Sequence, residues 1–453
     1  MNVNRYLYSG LGEIHGPLFK REIMKRTAWI FVCLFLALST YGSAQAGDQS
    51  AAGGSALTAD STTHDIYTGS GKGTMLIARK QETFTNTIDP DSISVSSSPR
   101  RDGFWMSQKF NDNFLGMDIG DVNNDGRNEI VVIDTNNIII YQKEGNNLKL
   151  LQRIPGGSYH QYLSVDVADV NGSGVCQIIV TSLFNSTLES FVLEYRNGKY
   201  VEIALDLRWF LRVIEIGGKP VLLGQTMGID NPFDNPIHEI VWEDGKYVEG
   251  RQMKIPRGLS VYSLAVMPLE KGGPERVIAL DDDDYLRVYK RSDDPLSKIN
   301  VLGGSAAAIW KSDEVFGGSN NYFARTQSQL TAIELTDRDK IPYVNSRIIS
   351  YDNDRTGKSK FIIVRNFSQE RRLFQNIRFF SSSEIYDLEW DGLGFTENWK
   401  TPKIHGYVAD YQFKDVDKNG SREVVLVVVT ARSLGFKHES VIVMYTLTEK
   451  QKD

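Results

Sequence analysis

Oxygen-bearing side chains at alternate positions of a short loop, closed by a carboxylate, occur twice in this chain. Asp121, Asn123 and Asp125 precede Gly126 and Glu129, and Asp415, Asp417 and Asn419 precede Gly420 and Glu423. Alternate residues of a tight loop can point to one side, and the glycine supplies the positive φ that the turn needs. Such a set can wrap a hard cation, and Ca2+, which takes about six to eight oxygens, is the natural ion. The expected ligands are Asp121, Asn123, Asp125 and Glu129 in one loop and Asp415, Asp417, Asn419 and Glu423 in the other. A backbone carbonyl and water would complete each shell. The spacing departs from an EF-hand, whose loop closes with a later Glu and is flanked by helices.

Here both flanks read as strands. Residues 115–121 and 408–415 lead in, and the β-branched runs 130–133 and 424–429 lead out as buried strands. At these residues the chain resembles the FG-GAP/VCBS repeat family. Blades of that family carry an Asp-rich calcium loop between their first two strands and build β-propellers, including the heads of integrin α chains. The resemblance implies an all-β propeller with structural calcium. Two weaker copies follow the same grammar. Asp169-Val-Asn171-Gly-Ser173-Gly174-Val-Cys176-Gln177 has Gln in the closing position, and the copy opened by Asp352 and Asp354 closes with Lys360. Both are expected to be turns without metal.

Two further elements recur. Asn197-Gly198, Asp244-Gly245 and Asp391-Gly392 stand between aromatic and alternating residues and predict hairpin turns. Their aromatics are expected to pack blade against blade. Trp followed two residues later by Ser or Thr occurs at Trp105/Ser107, Trp310/Ser312 and Trp399/Thr401, and reads as the outermost strand of a blade. Trp105 has this signature with no blade ahead of it, whereas residues 439–447 read as a third strand that no fourth follows. A strand at about residues 104–110 is therefore expected to complete the last blade and close the ring.

First strands begin near Leu115, Leu163, Leu211, Val261, Val344 and Val408, which gives six blades. The wide gap after Val261 leaves seven open. Residues 317–340 read as an inserted excursion, and as a long loop on a rigid scaffold they are the expected binding element. Gly217-Gly218 and Gly272-Gly273 replace the Asp-rich loop in blades three and four.

The stretch from Met24 to Ala46 has a basic start, an apolar run from Ala28 to Leu38 and an Ala-x-Ala ending, the layout of a secretory signal peptide. The apolar run is too short to span a bilayer. The expected organisation is an upstream extension plus signal peptide over 1–46, a disordered Ser/Thr/Gly-rich leader over 47–102, a propeller over 103–448 and a tail over 449–453. Cleavage near Ala46 places the mature protein outside the cytoplasm, periplasmic or secreted. It also removes Cys33 and leaves Cys176 without an intramolecular partner, which excludes a disulfide framework.

A net charge of −6 with scattered basic residues gives no nucleic-acid footprint. The run from Asp281 to Asp284 reads as a solvated hairpin tip, because consecutive carboxylates in extended chain point to alternate sides. No Gly-x-Ser-x-Gly elbow or His-Glu-x-x-His pair is present. His160 and His405 each precede a first strand and could share a channel end, although they read better as ordinary loop histidines. The leading expectation is a monomeric, exported, non-catalytic module that binds a protein or glycan. The alternatives are a propeller enzyme (lyase, hydrolase or quinone-dependent dehydrogenase) or a structural part of an envelope assembly.

Overall fold

Runs such as residues 130–133 and 424–429 have no polar alternation, so each must be covered on both faces. Stacking short antiparallel sheets around an axis does this, since each sheet lies between two others. The computed structural model describes residues 104–229, 231–291, 308–323, 342–352, 359–368, 380–431 and 438–446. The expected signal sequence and leader, and residues 324–340 of the excursion, lie outside these. So do residues 353–358 of the loop opened by Asp352.

The described residues form six antiparallel sheets, the blades of a β-propeller, with a single 3-10 turn at Val261–Ser263. Blade one runs outward from Gly116–Gly120 through Glu129–Ile133 and Asn137–Glu144 to Asn147–Pro155. Blade two follows with His160–Ala168, Gln177–Phe184, Ser190–Arg196 and Lys199–Leu207. Blade three is Phe210–Ile216, Lys219–Gln225, Ile237–Glu243 and Lys246–Gln252. Blade four is Leu264–Pro268, Glu275–Leu280, Tyr285–Lys290 and Trp310–Val315. Blade five is Ile349–Asp352, Ser359–Phe367, Ser382–Trp390 and Phe395–Lys400. Blade six comprises Tyr407–Lys414, Glu423–Ala431 and His438–Thr446, and its fourth strand is Phe104–Met106 from the other end of the chain.

That exchange closes the ring as the sequence predicts. Phe104, Trp105 and Met106 face Tyr445, Met444 and Val443 in antiparallel register. Beyond them, the N–H of Ser107 donates to the Ile442 carbonyl and the Ile442 N–H donates to Ser107 Oγ, both at 2.9 Å. The Trp-x-Ser/Thr signature has a physical basis here. Ser312 Oγ likewise accepts the Leu286 N–H, and Thr401 Oγ1 accepts that of Ile385, each at 3.0 Å. In all three blades a hydroxyl on the outer strand satisfies a third-strand amide and so continues the ladder.

Inter-blade cores hold the sheets together. Val131 and Ile133 of blade one pack with Val165, Val167 and Val180 of blade two. On the opposite face, Ile130 and Val132 pack with Val425, Val427 and Ile442 of blade six. The hairpin aromatics serve the same purpose: Phe395 lies 5.0 Å from Trp390 in its own blade and 5.2 Å from Trp310 in blade four. Asn197 and Gly198, with φ of 50° and 81°, and Asp244 and Gly245, with 48° and 78°, adopt the left-handed conformations of a type I′ turn.

Two strand starts differ from expectation. Blade four begins at Leu264, after the 3-10 turn, and blade five at Ile349 instead of near Val344. The residues before Ile349 are used otherwise. Val344 bonds through its N–H to the Asn321 carbonyl, and residues 316–323 touch inner parts of five blades. Gly317 exchanges backbone bonds with Val364 and Asn366, and Asn321 Nδ2 donates to Leu163 O. Asn320 N–H donates to Tyr407 Oη, while Phe323 packs against Phe210 and Tyr262. A segment that reaches blades two to six at once lies across the axis. Among the described residues no helix is long and apolar enough to cross a membrane.

Candidate functional site

Each Asp-rich loop joins the inner strand of its blade to the second strand, so its ligand set is built on backbone fixed at both ends. In blade one, the Asp121 carboxylate accepts the N–H groups of Asp125 (3.1 Å) and Gly126 (2.9 Å), and Asn123 Oδ1 also accepts that of Asp125 (2.9 Å). Glu129 is fully buried and accepts the Val122 N–H at 3.1 Å. Its other oxygen accepts the amides of Asn123 (3.2 Å) and Gln142 (2.9 Å). Burial raises its pKa to about 7, with Asp125 and Asp121 adding to the rise and the Val122 and Gln142 hydrogen bonds opposing it.

Blade six repeats the pattern. Asp415 accepts from Asn419 and Gly420, and Glu423 accepts the Val416 N–H at 3.0 Å. Burial also raises the Glu423 carboxyl above its usual range. The two loops are neighbours across the closure seam and exchange lysines. Lys143 of blade one holds Asp417 at 2.7 Å, and Lys418 of blade six holds Asp121 at 3.2 Å. Asn128 Nδ2 also donates to the Asp415 carbonyl at 2.7 Å. Among the described residues, no three His, Cys, Asp or Glu side chains are grouped closely enough to hold a metal ion. In blade one the Asn123 and Gln142 amides stand between Asp125 and Glu129. Glu129 is a buried carboxylate near Asp125 and Asp121, with no cation paired to it among the described residues.

The blade-two loop has exchanged the two groups. Glu129 faces Gln142 across blade one; in blade two the Gln is on the second strand at position 177 and the Glu is on the third at position 194. Gln177 Nε2 lies 2.9 Å from Asn171 Oδ1, 3.1 Å from Ser173 Oγ, 2.6 Å from the Val175 carbonyl and 2.9 Å from Glu194 Oε2. One amide nitrogen thus occupies the centre of an oxygen cage. This accounts for a loop that keeps its shape after losing the closing carboxylate.

A second polar group, not singled out in the sequence, lies on the axis. Arg347 forks onto Asp410, with Nε to Oδ1 at 2.7 Å and Nη2 to Oδ2 at 2.8 Å, and its Nη1 reaches Asp166 at 3.1 Å. Arg212 Nη1 also reaches Asp166 at 3.1 Å, and Lys414 Nζ holds Asp118 at 2.6 Å. The three aspartates also join blade to blade. Asp410 accepts the Met117 N–H (3.0 Å), Asp118 that of Val167 (2.7 Å) and Asp166 that of Val213 (3.3 Å). Burial raises the Asp166 carboxyl, against the pull of Arg212 and Arg347. Burial alone would lower the pKa of Arg347, but Asp410 and Asp166 outweigh it and hold the guanidinium more firmly charged than usual. A sequence signal for two of these aspartates exists: Asp118 and Asp166 each stand three residues before the Asp that opens their loop. At one end of the axis, where the inner strands run into the Asp-rich loops, Asp118, Arg212, Arg347, Gln412, Lys414 and Arg422 help line a pocket of about 110 Å³.

The two singled-out histidines take no part in this group. His160 lies 3.1 Å from Ser182 Oγ with its ring 5.0 Å from Phe184, and His405 is exposed on a short strand paired with Ser382. The run from Asp281 to Asp284 is a hairpin tip with Asp282 and Asp283 exposed and Asp281 held to Arg287, but the expected solvation ends at Asp284, which is buried.

With this geometry in place, residues 121–180, from the blade-one loop through the three strands that follow it into the second strand of blade two, match the model of the FG-GAP-like repeat. The chain carries an FG-GAP-like repeat. No curated protein sequence matches it. Among solved structures, the soluble aldose sugar dehydrogenase of Escherichia coli in its apo-form is 9% identical, with a TM-score of 0.40 over 75% of this chain and 98% of that one. A subtype N11 neuraminidase-like protein of A/flat-faced bat/Peru is 8% identical, with a TM-score of 0.37 over 74% of this chain and 89% of the other. Likeness at that level carries nothing about what this FG-GAP-like propeller binds or does.

Proposed function

We propose that this chain is an exported, non-catalytic FG-GAP-type β-propeller. In this reading it works as a monomeric binding or interaction module for a protein or glycan, with structural Ca2+ in the loops of blades one and six. The observation that supports it best is the mutual pairing of the axial charges. Asp118, Asp166 and Asp410 each hold a cation and a backbone N–H of the next blade. A general acid or base must be free to exchange a proton with a substrate, and these carboxylates serve as inter-blade ties. Asp121, Asn123, Asp125 and Glu129, with Asp415, Asp417, Asn419 and Glu423, are the ligands that would hold the ions.

Calcium binding makes a prediction whose sign follows from Glu129. Its folded pKa of about 7 lies above the ordinary 4.5, so the metal-free fold prefers the protonated acid. That contribution is complete below about pH 4.5 and is lost as pH rises through about 7. Calcium favours the carboxylate and restores the loss, by about 2.7 kcal/mol per site at a hundredfold excess over Kd. Melting temperature between pH 5 and 8 is expected to fall in chelator, and the gap between calcium and chelator to widen with pH. Glu129→Gln should flatten both trends for blade one, as Gln177 already does in blade two. Coincident curves together with no bound calcium by calorimetry would reduce these loops to ordinary turns.

Export is tested separately. The mature N-terminus is expected near Gly47 in an extracytoplasmic fraction. An intact N-terminus in soluble cytosol would overturn that part of the reading.

A further inference from the structure

We infer that Lys143 is a resident cation of the blade-six loop and sets how readily that loop takes a metal ion. The hairpins that join third to fourth strands share a register. The facing pair five residues apart is Tyr195/Tyr200 in blade two, Trp242/Tyr247 in blade three and Trp390/Phe395 in blade five. In blade one the same pair is Lys143/Leu148. A lysine thus stands where those other blades have an aromatic ring. Ile139 and Tyr141 of the same strand pack into the core shared with blade six, and strand alternation puts Lys143 in their row, at the end nearest the Asp-rich loops. Its ammonium lies 3.0 Å and 2.7 Å from the two carboxylate oxygens of Asp417.

The two seam loops differ for this reason. Lys143 is only 16% exposed, and it opposes the rise that burial imposes on the Glu423 carboxyl, so one ammonium acts on both Asp417 and Glu423. At the blade-one loop the corresponding neighbour is the uncharged Tyr195/Tyr200 pair of blade two, where burial and then Glu129 push the Tyr200 hydroxyl up. Cations meet that loop at its rim, with Lys418 on Asp121 and Arg127 on Asp125, 42% and 63% exposed. Pairs as open as these contribute little. Lys143 also lies 5.8 Å from the centre of the Trp105 ring, on the strand that closes the propeller. An ammonium and a divalent ion on one carboxylate repel each other, so metal entry into the blade-six loop has to draw Asp417 away from Lys143. The inference rests on the calcium reading in this last step alone.

The test compares the mature chain with its Lys143→Met, Lys143→Tyr and Lys418→Met variants. Calcium chloride is titrated by calorimetry, and hydrogen exchange over residues 121–129 and 415–423 is followed in chelator and along the titration. Lys143→Tyr introduces the aromatic of the other blades and so guards against a packing defect. Both Lys143 variants are expected to open residues 415–423 to exchange in chelator, yet to tighten calcium binding at that loop about fivefold. Lys418→Met, at the exposed rim, should change either by about twofold or less. The opposite signs mark a competing cation, since removal of a lysine that merely supports the loop would weaken binding. Unchanged exchange over 415–423 in chelator, or calcium binding that is unchanged or weaker in both Lys143 variants, overturns the inference. No calcium bound by any of the four proteins overturns the metal reading instead, and Lys143 as the loop's cation then stands or falls on the exchange over 415–423.

Discussion

Replacing Arg347 with Met is expected to destabilise the propeller by about 3–5 kcal/mol, the range for breaking a buried ion pair by removing one partner. The guanidinium bonds Asp410, Asp166 and the Met117 carbonyl together. Without it, Asp410 keeps the Met117 N–H but has no cation, and Asp166 depends on Arg212 alone. A buried carboxylate without its cation prefers to be protonated. The variant's deficit should therefore widen as pH rises from about 4 to 7, because the carboxylate left without its cation must be ionised there. Asp410→Asn in the Arg347→Met background should recover part of the stability, because the uncompensated charge goes with it. Denaturant unfolding at several pH values reads all three effects. An Arg347→Met protein that unfolds at the wild-type midpoint would show that the axial network contributes no stability.

The legible and illegible parts of this molecule differ in their physical basis. Blades were legible because their determinants are local: a β-branched run buried on both faces, a type I′ dipeptide such as Asn197-Gly198, a Trp-x-Ser outer strand. Closure was legible for the same reason, since Trp105 displays an outer-strand pattern without a blade before it. Arg347 was not, because its partners lie in blades one, two and six and only the closed ring brings them together. Nothing near it in sequence distinguishes it from a surface arginine. The blade-two loop was only half legible. Gln177 reads as a lost ligand, but the third-strand position of Glu194, which compensates for it, is set by strand register and not by spacing along the chain. Similarly, residues 317–323 looked like part of a projecting excursion. They instead run across the axis, with Phe323 fully buried, because the glycine-rich start of the segment allows close passage: Gly318, with φ of 87°, would place a Cβ within 2.8 Å of the Phe380 ring.

Loss of the closing strand is expected to have the largest effect of all. A chain that lacks residues 47–98 retains Phe104–Met106 and should melt with the mature protein, whereas one that begins at Asn111 should aggregate. The difference lies in what His438–Thr446 faces. With the N-terminal strand present, Val443, Met444 and Tyr445 are paired to Met106, Trp105 and Phe104, and Phe110 exchanges two backbone bonds with Ser440. Remove them and the third strand of blade six becomes an edge with Val441, Ile442 and Val443 at its centre, an open template for another copy. Phe110 also leaves the core it shares with Phe114 and Tyr141, whose rings lie 5.2 Å and 5.0 Å away. The seam should fail from that point, because the loops of blades one and six are held to each other at their rim through Lys143, Lys418 and Asn128. Supplying a peptide of residues 99–112 in trans should restore a monomer with protected amides in His438–Thr446, read by hydrogen exchange. A chain beginning at Asn111 that stays monomeric, with those amides as protected as in the mature protein, would show that the ring does not need the strand it borrows.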